Sequence, residues 1–490
     1  MQKRHNFNLR DIIFNIKKER LTLIVAAVAQ LIMQLIANMT VVALPKISSN
    51  LNFSAEMLMW VNLIYLMSFV AFSLPFAKII SQYGVKKCTK TILYLLFISI
   101  LLSVLSINDW MFLLSRLIQG FTSASLAISL YVMIVEEFED SAIGSALGIV
   151  SSAGYVGMLI APSFMGFVSY ISNWKLGFLV LIPIIAILLI FINKIDYEWT
   201  TEKRPVDNIG SLIYVIIMIL FTYGMTELDK FGAIFVVISL VLLILFIKVE
   251  KSVSEPIFNF KLAKNIKYVI GNYAAMGTYF TTTIAITALS LHLQYVLNTE
   301  EYVVGLILII APIIMIGITG LSGRLSNRMD PRVISGVAMM FICASSVVLF
   351  FIDFIPFNII LFGCALQGIG NGLFSAPNNK YVLTLVDEKD LPDASSVLST
   401  SKEFGKILSG GIFTLILSVY VGNQEFGPKH LNPLLIQSTN LMMFVCILVT
   451  LSAGILLFYS KFQHEHAPNE GTVNFFKRIT PEWAKKRMKD

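Results

Sequence analysis

Three side-chain amides, Gln30, Gln34 and Asn38, recur at every fourth residue inside the apolar run VAQLIMQLIANMTVVALP (28–45). That period keeps them on one face of a helix. An amide in hydrocarbon is costly unless hydrogen-bonded, so the face must meet protein or water. Either it lines a water-accessible path and offers neutral donors and acceptors to a cargo, or it bonds helix to helix. A second amide set, Gln367, Asn371, Asn378 and Asn379, lies in GIGNGLFSAPNN and the residue before it. There the glycines Gly368, Gly370 and Gly372 already mark a tight helix contact, so the same two readings stand.

The ionisable residues are unevenly distributed. Arg116 sits inside an apolar run, where a cation costs about 3 kcal/mol on insertion scales. It calls for carbonyls, amides or an anion as partners, with Gln119 on the same face, or else it snorkels outward. Lys380, Lys402 and Lys406 also lie in apolar runs, and of the 30 acids only Glu227 and Glu403 do. Lys406 follows Glu403 by three residues, which predicts a local ion pair. The lysines form a salt-bridged gate or snorkel. Amides, Arg116 and three lysines against one acid favour a neutral or anionic cargo over a lipophilic cation in a low-dielectric cavity. For a proton carrier, Glu403 stands first and His292 second.

The elements that position these groups are membrane spans. The 490 residues are 56% hydrophobic and 14% charged, with mean hydropathy +0.78. That is too little charge for a soluble surface. Apolar runs long enough to cross a bilayer predict fourteen helices, at 21–43, 58–80, 90–107, 110–135, 143–169, 176–193, 209–228, 232–249, 269–291, 304–322, 333–352, 357–385, 393–420 and 436–460. An even number puts both termini on one side. Of the 37 Lys and Arg, 29 fall in the stretches facing that side and four in the alternate loops, so that side is expected to be the cytoplasm. The net charge of +7 is thus a topology signal, and no nucleic-acid partner is implied. No cleavable signal peptide is expected. The four cysteines form no CxxC and support neither a disulfide framework nor a metal site. The apolar-basic stretches 12–20 and 473–487 suit an anionic leaflet or are ordinary flanking charge.

The chain repeats itself. SQYGVKK (81–87) corresponds to SNRMDPR (326–332), RLIQG (116–120) to CALQG (364–368), and Gly157 to Gly405. A near-constant offset over three landmarks predicts two six-helix bundles related by duplication. The expected organisation is a cytoplasmic segment 1–20, a bundle 21–193, linkers with two accessory helices 194–268, a second bundle 269–460 and a tail 461–490.

These residues resemble the major facilitator superfamily, and the fourteen-helix layout resembles its drug:proton antiporter (EmrB/QacA-type) subfamily. VVALPKI is similar to the family's IVNVALPxI. Trp60 and Tyr65 in WVNLIYL, which also holds Asn62, match WVxxaYxL. Gly84, Lys86 and Lys87 match the end of GxLaDrxGrkk, Arg116, Gln119 and Gly120 match RxxQG, and Pro162 and Gly166 match GPxxGG. The chain departs from the family at its carboxylates. Ile36 stands where the first helix usually has an acid, Ser81 and Asn327 stand at the two loop Asp positions, and Gln82, Ala77 and Ala161 replace an Arg and two Gly.

The resemblance implies an all-α polytopic membrane protein with two six-helix bundles and two accessory helices between them. It would be a secondary transporter working by alternating access. It implies Arg116 as a gating or coupling residue, and a bending fifth helix around Pro162 and Gly166 that seals one bundle against the other. The implied cargo is a drug-like or lipid-like compound moved outward, with protons as a coupling partner; import of a small organic anion, or a non-transporting sensor, is the alternative. No cofactor is called for, and a prokaryotic plasma-membrane monomer is expected. No Walker A, HExxH or GxSxG pattern points to ATP drive or to an enzyme.

Overall fold

In a computed structural model, residues 18–51, 55–199, 206–228, 231–253, 256–420 and 432–459 are described. The two apolar-basic ends and the terminal segments 1–20 and 461–490 lie outside them, apart from residues 18–20.

Among the described residues, fourteen helices are long and apolar enough to cross a membrane. They are α1 Lys18–Leu51, α2 Ala55–Tyr83, α3 Val85–Leu105, α4 Asp109–Glu137, α5 Asp140–Ile171, α6 Trp174–Asn193 (interrupted at Val180), α7 Asn208–Thr226 and α8 Gly232–Glu250. They continue with α9 Ile266–Leu291, which ends in a π-helical turn at His292–Val296, then α10 Val303–Leu325, α11 Pro331–Phe350, α12 Phe357–Leu383, α13 Leu391–Tyr420 and α14 Asn432–Tyr459. Polar side chains end several of them. Asn108 accepts from the Met111 amide at the start of α4, Asp207 from Gly210 at the start of α7, and Asn265 from Lys267 and Tyr268 at the start of α9. Each satisfies an amide that the first helical turn leaves unpaired.

The two bundles are built alike, down to single contacts. Gly120 of α4 sits against the Tyr65 carbonyl of α2, and Gly368 of α12 sits against the Ala311 carbonyl of α10. Gly157 of α5 meets the Leu31 carbonyl of α1, and Gly405 of α13 meets the Met276 carbonyl of α9. In each case a Cβ would strike backbone, so the small residue sets how closely the helices approach. The accessory helices α7 and α8 pack on one another, and α7 also packs on α2 and α13. Outward-facing positions of α8 are exposed and apolar, such as Ile234, Val237, Val241 and Ile244, as a bilayer requires.

The bundles meet unevenly along their length. Among the described residues, the hydrogen bonds between them lie in the halves of the helices nearer the termini. Ser73 of α2 bonds Thr400 of α13, and Lys78 of α2 pairs with Asp393 of α13. Asn327, just past α10, bonds Gly144 and Ser145 of α5, and Ser375 of α12 bonds Ser151 of α5. The hydrogen-bond latches named here are therefore all on the terminal side.

Candidate functional site: a cavity between the bundles

Beyond the latch, the bundles enclose a cavity of about 460 Å³, the size of a small organic ligand. The α1 amides Gln30, Gln34 and Asn38 all line it, each half-buried. Their helical spacing brings them there, and Gly154 and Gly157 let α5 close in behind Gln30 and Gln34. Asn38 spends one amide hydrogen on the Gln34 carbonyl at 2.8 Å. Asn62 and Tyr65 of α2 and Tyr155 and Met158 of α5 extend this wall.

The opposite wall is made of hydroxyls. Thr282, Thr283 and Thr287 of α9 line the cavity. Each donates to the carbonyl four residues back in its own helix, at 2.8, 2.9 and 2.9 Å. Committed as donors, they offer lone pairs to whatever occupies the cavity. Asn371 of α12 joins them, its Oδ1 3.0 Å from Thr282 Oγ1 as the alternative acceptor for that single hydroxyl hydrogen.

Arg116 also lines the cavity, yet its side chain is fully buried. It does not snorkel. Its Nε donates to the Val61 carbonyl at 3.2 Å, and Nη1 donates to the Ile36 carbonyl at 3.2 Å and to Gln119 Oε1 at 2.9 Å. The guanidinium carbon stands 4.6 Å from the Tyr65 ring centroid, a cation–π distance. Nη2 makes no hydrogen bond to a described residue. The position that lacks an acid thus supplies its backbone carbonyl, from Ile36, as one of the arginine's neutral acceptors.

Several residues expected on the path stand behind its wall. Gln119 is fully buried and donates to Ser103 at 2.8 Å while it holds Arg116. Gln367 donates to Thr282 at 3.2 Å, and Asn378 donates to the Gly271 carbonyl at 3.2 Å, tying α12 to α9. Helical spacing fixes a face but not its depth, so these amides fall into helix-to-helix bonding. Pro162 and Gly166 lie in the far half of α5, past the last cavity-lining residue of that helix, Met158.

The lysines divide into three arrangements. Lys406 pairs with Glu403 at 2.7 Å, one turn along α13, and both line the cavity. Lys402 donates to Tyr131 Oη of α4 and to Asn379 Oδ1 of α12, both at 2.8 Å. Lys380 reaches from α12 to the carbonyls of Asp140 and Ser326, at 2.7 and 3.3 Å, and to Asn327 Oδ1 at 3.0 Å. It neither snorkels nor relies on a carboxylate among these partners: it closes the terminal side through carbonyl and amide oxygens.

The sequence reading missed the ion pair that joins the bundles. Lys78 Nζ and Asp393 Oδ2 lie 2.7 Å apart with side chains 5% and 4% exposed, and they join α2 to α13. Each stands beside a charged loop and reads as ordinary flanking charge. The repeat held the only signal. Asn327 and Ser145 form the corresponding contact at the other bundle junction, from α10 to α5. His292 lies away from the cavity, buried, with Nε2 3.4 Å from Asp353 Oδ1. Burial raises the Asp353 carboxyl above its usual range.

Comparisons with known proteins agree with this architecture. Residues 26–247 and 272–488 match the Major Facilitator Superfamily. The chain is 22% identical to the riboflavin transporter RibZ of Clostridioides difficile (strain 630) over 416 residues, covering 84% of this chain and 91% of that one. It is 25% identical to the drug efflux pump JefA of Mycobacterium tuberculosis (strain H37Rv) over 419 residues, covering 83% and 82%. Its fold aligns with the crystal structure of the human organic anion transporter MFSD10 at a TM-score of 0.65 and 12% identity, covering 90% of this chain and 99% of that one. The chain is a multi-pass membrane transporter, not an enzyme, and belongs to the Major Facilitator Superfamily.

Proposed function

We propose that this transporter exports drug-like or lipid-like organic compounds by alternating access, with neutral or anionic cargo preferred over lipophilic cations. Both termini would face the cytoplasm of a prokaryotic cell, as the lysine and arginine bias of the loops suggests. The observation that carries the reading is the cavity itself. It lies between two related bundles, and the hydrogen-bond latches named above are on the terminal side. Its wall holds Arg116, Lys402 and Lys406 against Glu403 alone among the described charged residues. Two bundles rocking about such a site is the family's mode of transport. The relative named as a drug efflux pump supports export, and the amide-rich wall supports cargo with several hydrogen-bonding edges. The subfamily of fourteen-helix drug:proton antiporters remains the reading suggested by helix number and motif order. The relative named as a riboflavin transporter supports a second reading, movement of a polar heteroaromatic compound.

The test is reconstitution into liposomes with an imposed pH gradient and a panel of cationic, neutral and anionic aromatic compounds. The expected result is flux of neutral or anionic members that responds to the gradient. High-affinity flux of ethidium-like cations, with no flux of the others, overturns the cargo preference. No flux of any member by protein that remains folded favours a non-transporting role.

A further inference from the structure

Lys402 differs from every other charged group at the cavity. The charge of Lys406 is matched by Glu403 on the same helix. Arg116 is enclosed by carbonyls and an amide of its own bundle. Lys402 has only neutral hydrogen-bond partners, the Tyr131 hydroxyl and the Asn379 amide oxygen, and the first belongs to the opposite bundle. An ammonium has three N–H donors; two are taken, and the side chain borders the cavity. Its Nζ lies 4.9 Å from the ring centroid of Tyr131 and 6.0 Å from that of Tyr279. A positive centre beside two tyrosine rings, with one donor unspent, is suited to the acid group of an aromatic molecule.

We propose that Lys402 is the anchor for an anionic group on the cargo, a carboxylate or its equivalent, and that the same ammonium latches the bundles together through Tyr131. The anion first meets the third N–H. It then competes with the Tyr131 hydroxyl, because a charged acceptor holds an ammonium more strongly than a neutral one. Loading the cavity therefore loosens one of the bonds that keep the terminal side closed. The other charged or titratable groups around this site are Glu403 and Lys406 on α13, Tyr65 on α2, Arg116 on α4, Tyr155 on α5 and Tyr279 on α9. Deeper on the terminal side is the Lys78–Asp393 pair. None of these hydrogen-bonds Lys402. The inference rests on the reading that the cavity carries cargo, and it adds the atom that recognises it.

The test uses the purified full chain in lipid nanodiscs, with 2-naphthoate and its neutral counterpart 2-naphthamide as probes in equilibrium binding. Wild type is expected to prefer the acid. Lys402→Met should weaken acid binding roughly ten- to hundredfold, the worth of a hydrogen bond to a charged group, and leave amide binding in place, which also reports a folded cavity. Lys402→Arg should keep the acid preference. Tyr131→Phe should tighten acid binding, since the competing hydroxyl is gone. An acid preference that survives Lys402→Met overturns the anchor, as does equal binding of acid and amide by wild type. In both cases, flux of the wider panel through wild type leaves the transport reading standing. Binding of neither probe, together with no flux of the panel, overturns both.

Discussion

Arg116 and Lys402 are both buried cations on the cavity wall that hydrogen-bond to neutral oxygens, yet they belong to different machinery. All the hydrogen-bond partners of Arg116 lie in the first bundle: the Val61 and Ile36 carbonyls and Gln119. It moves with that bundle, and its bonds survive any rocking of one bundle against the other. Lys402 reaches from the second bundle to Tyr131 of the first, so that bond must break when the terminal side opens. A buried cation is therefore not a gate because it is buried; it is a gate when its partners sit on both moving parts. The two bundle junctions repeat the lesson. Lys78–Asp393 closes one with an ion pair, while the other is closed by Asn327 with Gly144 and Ser145 and by Lys380, whose ammonium bonds the Asp140 and Ser326 carbonyls and Asn327 Oδ1.

The largest effect expected from breaking this comparison comes from the charged junction. Asp393→Asn leaves Lys78 buried without its carboxylate, which costs about 3–5 kcal/mol. That cost falls on the latched state, so alkylation of a cysteine introduced at Ser73 should accelerate strongly. The double change Lys78→Met, Asp393→Leu should recover most of the closure. Asn327→Ala, at the junction whose oxygens are carbonyl and amide, leaves Lys380 its bonds to Asp140 and Ser326 and should show a smaller effect in the same assay; equal effects would erase the distinction between junctions. Next is Arg116→Leu. It removes hydrogen bonds internal to one bundle, so the melting temperature should fall, by about 2–3 kcal/mol in stability, with no change in that alkylation rate. A changed rate would place Arg116 among the gates.

The repeated glycine contacts rank third. Gly120→Ala and Gly368→Ala each press a methyl against a carbonyl of the neighbouring helix. Each should cost about 1–3 kcal/mol in thermal stability, and the two should be alike if the bundles are built alike. The smallest effect belongs to Glu403→Gln. Its partner Lys406 lies one turn along the same helix, with side chains 12% and 28% exposed. Such a pair is worth about 0–1 kcal/mol and does not change when the bundles move. Flux driven by a pH gradient decides the standing of Glu403 as the first candidate for proton carrier: a pair that stays together as the bundles move should leave coupling unchanged in this variant, and loss of coupling would make Glu403 the carrier.

How much of this could be read from the sequence depends on how local each signal is. The α1 amide stripe was legible because three residues four apart on a helix share a face. The Lys406–Glu403 pair was legible for the same reason. The duplication was legible in short motifs, and the glycines in them make matching contacts. The depth of Gln119, Gln367 and Asn378 was not legible, because periodicity names a direction and not how far the wall extends. The Lys78–Asp393 pair was the hardest to see. Its partners are 315 residues apart and each ends a span beside charged loops, so only the folded arrangement separates them from ordinary flanking charge.

Rocking of the two bundles about a cavity closed on the terminal side predicts opposite movements at its two ends. Distances between nitroxide labels test it most directly, with one pair at Lys87 and Arg328 on the terminal side and another at Ile107 and Phe354 on the far side, all exposed positions. When a transported compound is added in nanodiscs, the terminal pair should move apart while the far pair closes, and Asp393→Asn should shift both in the same sense without the compound. Two pairs that stay fixed, or that lengthen together, would contradict it.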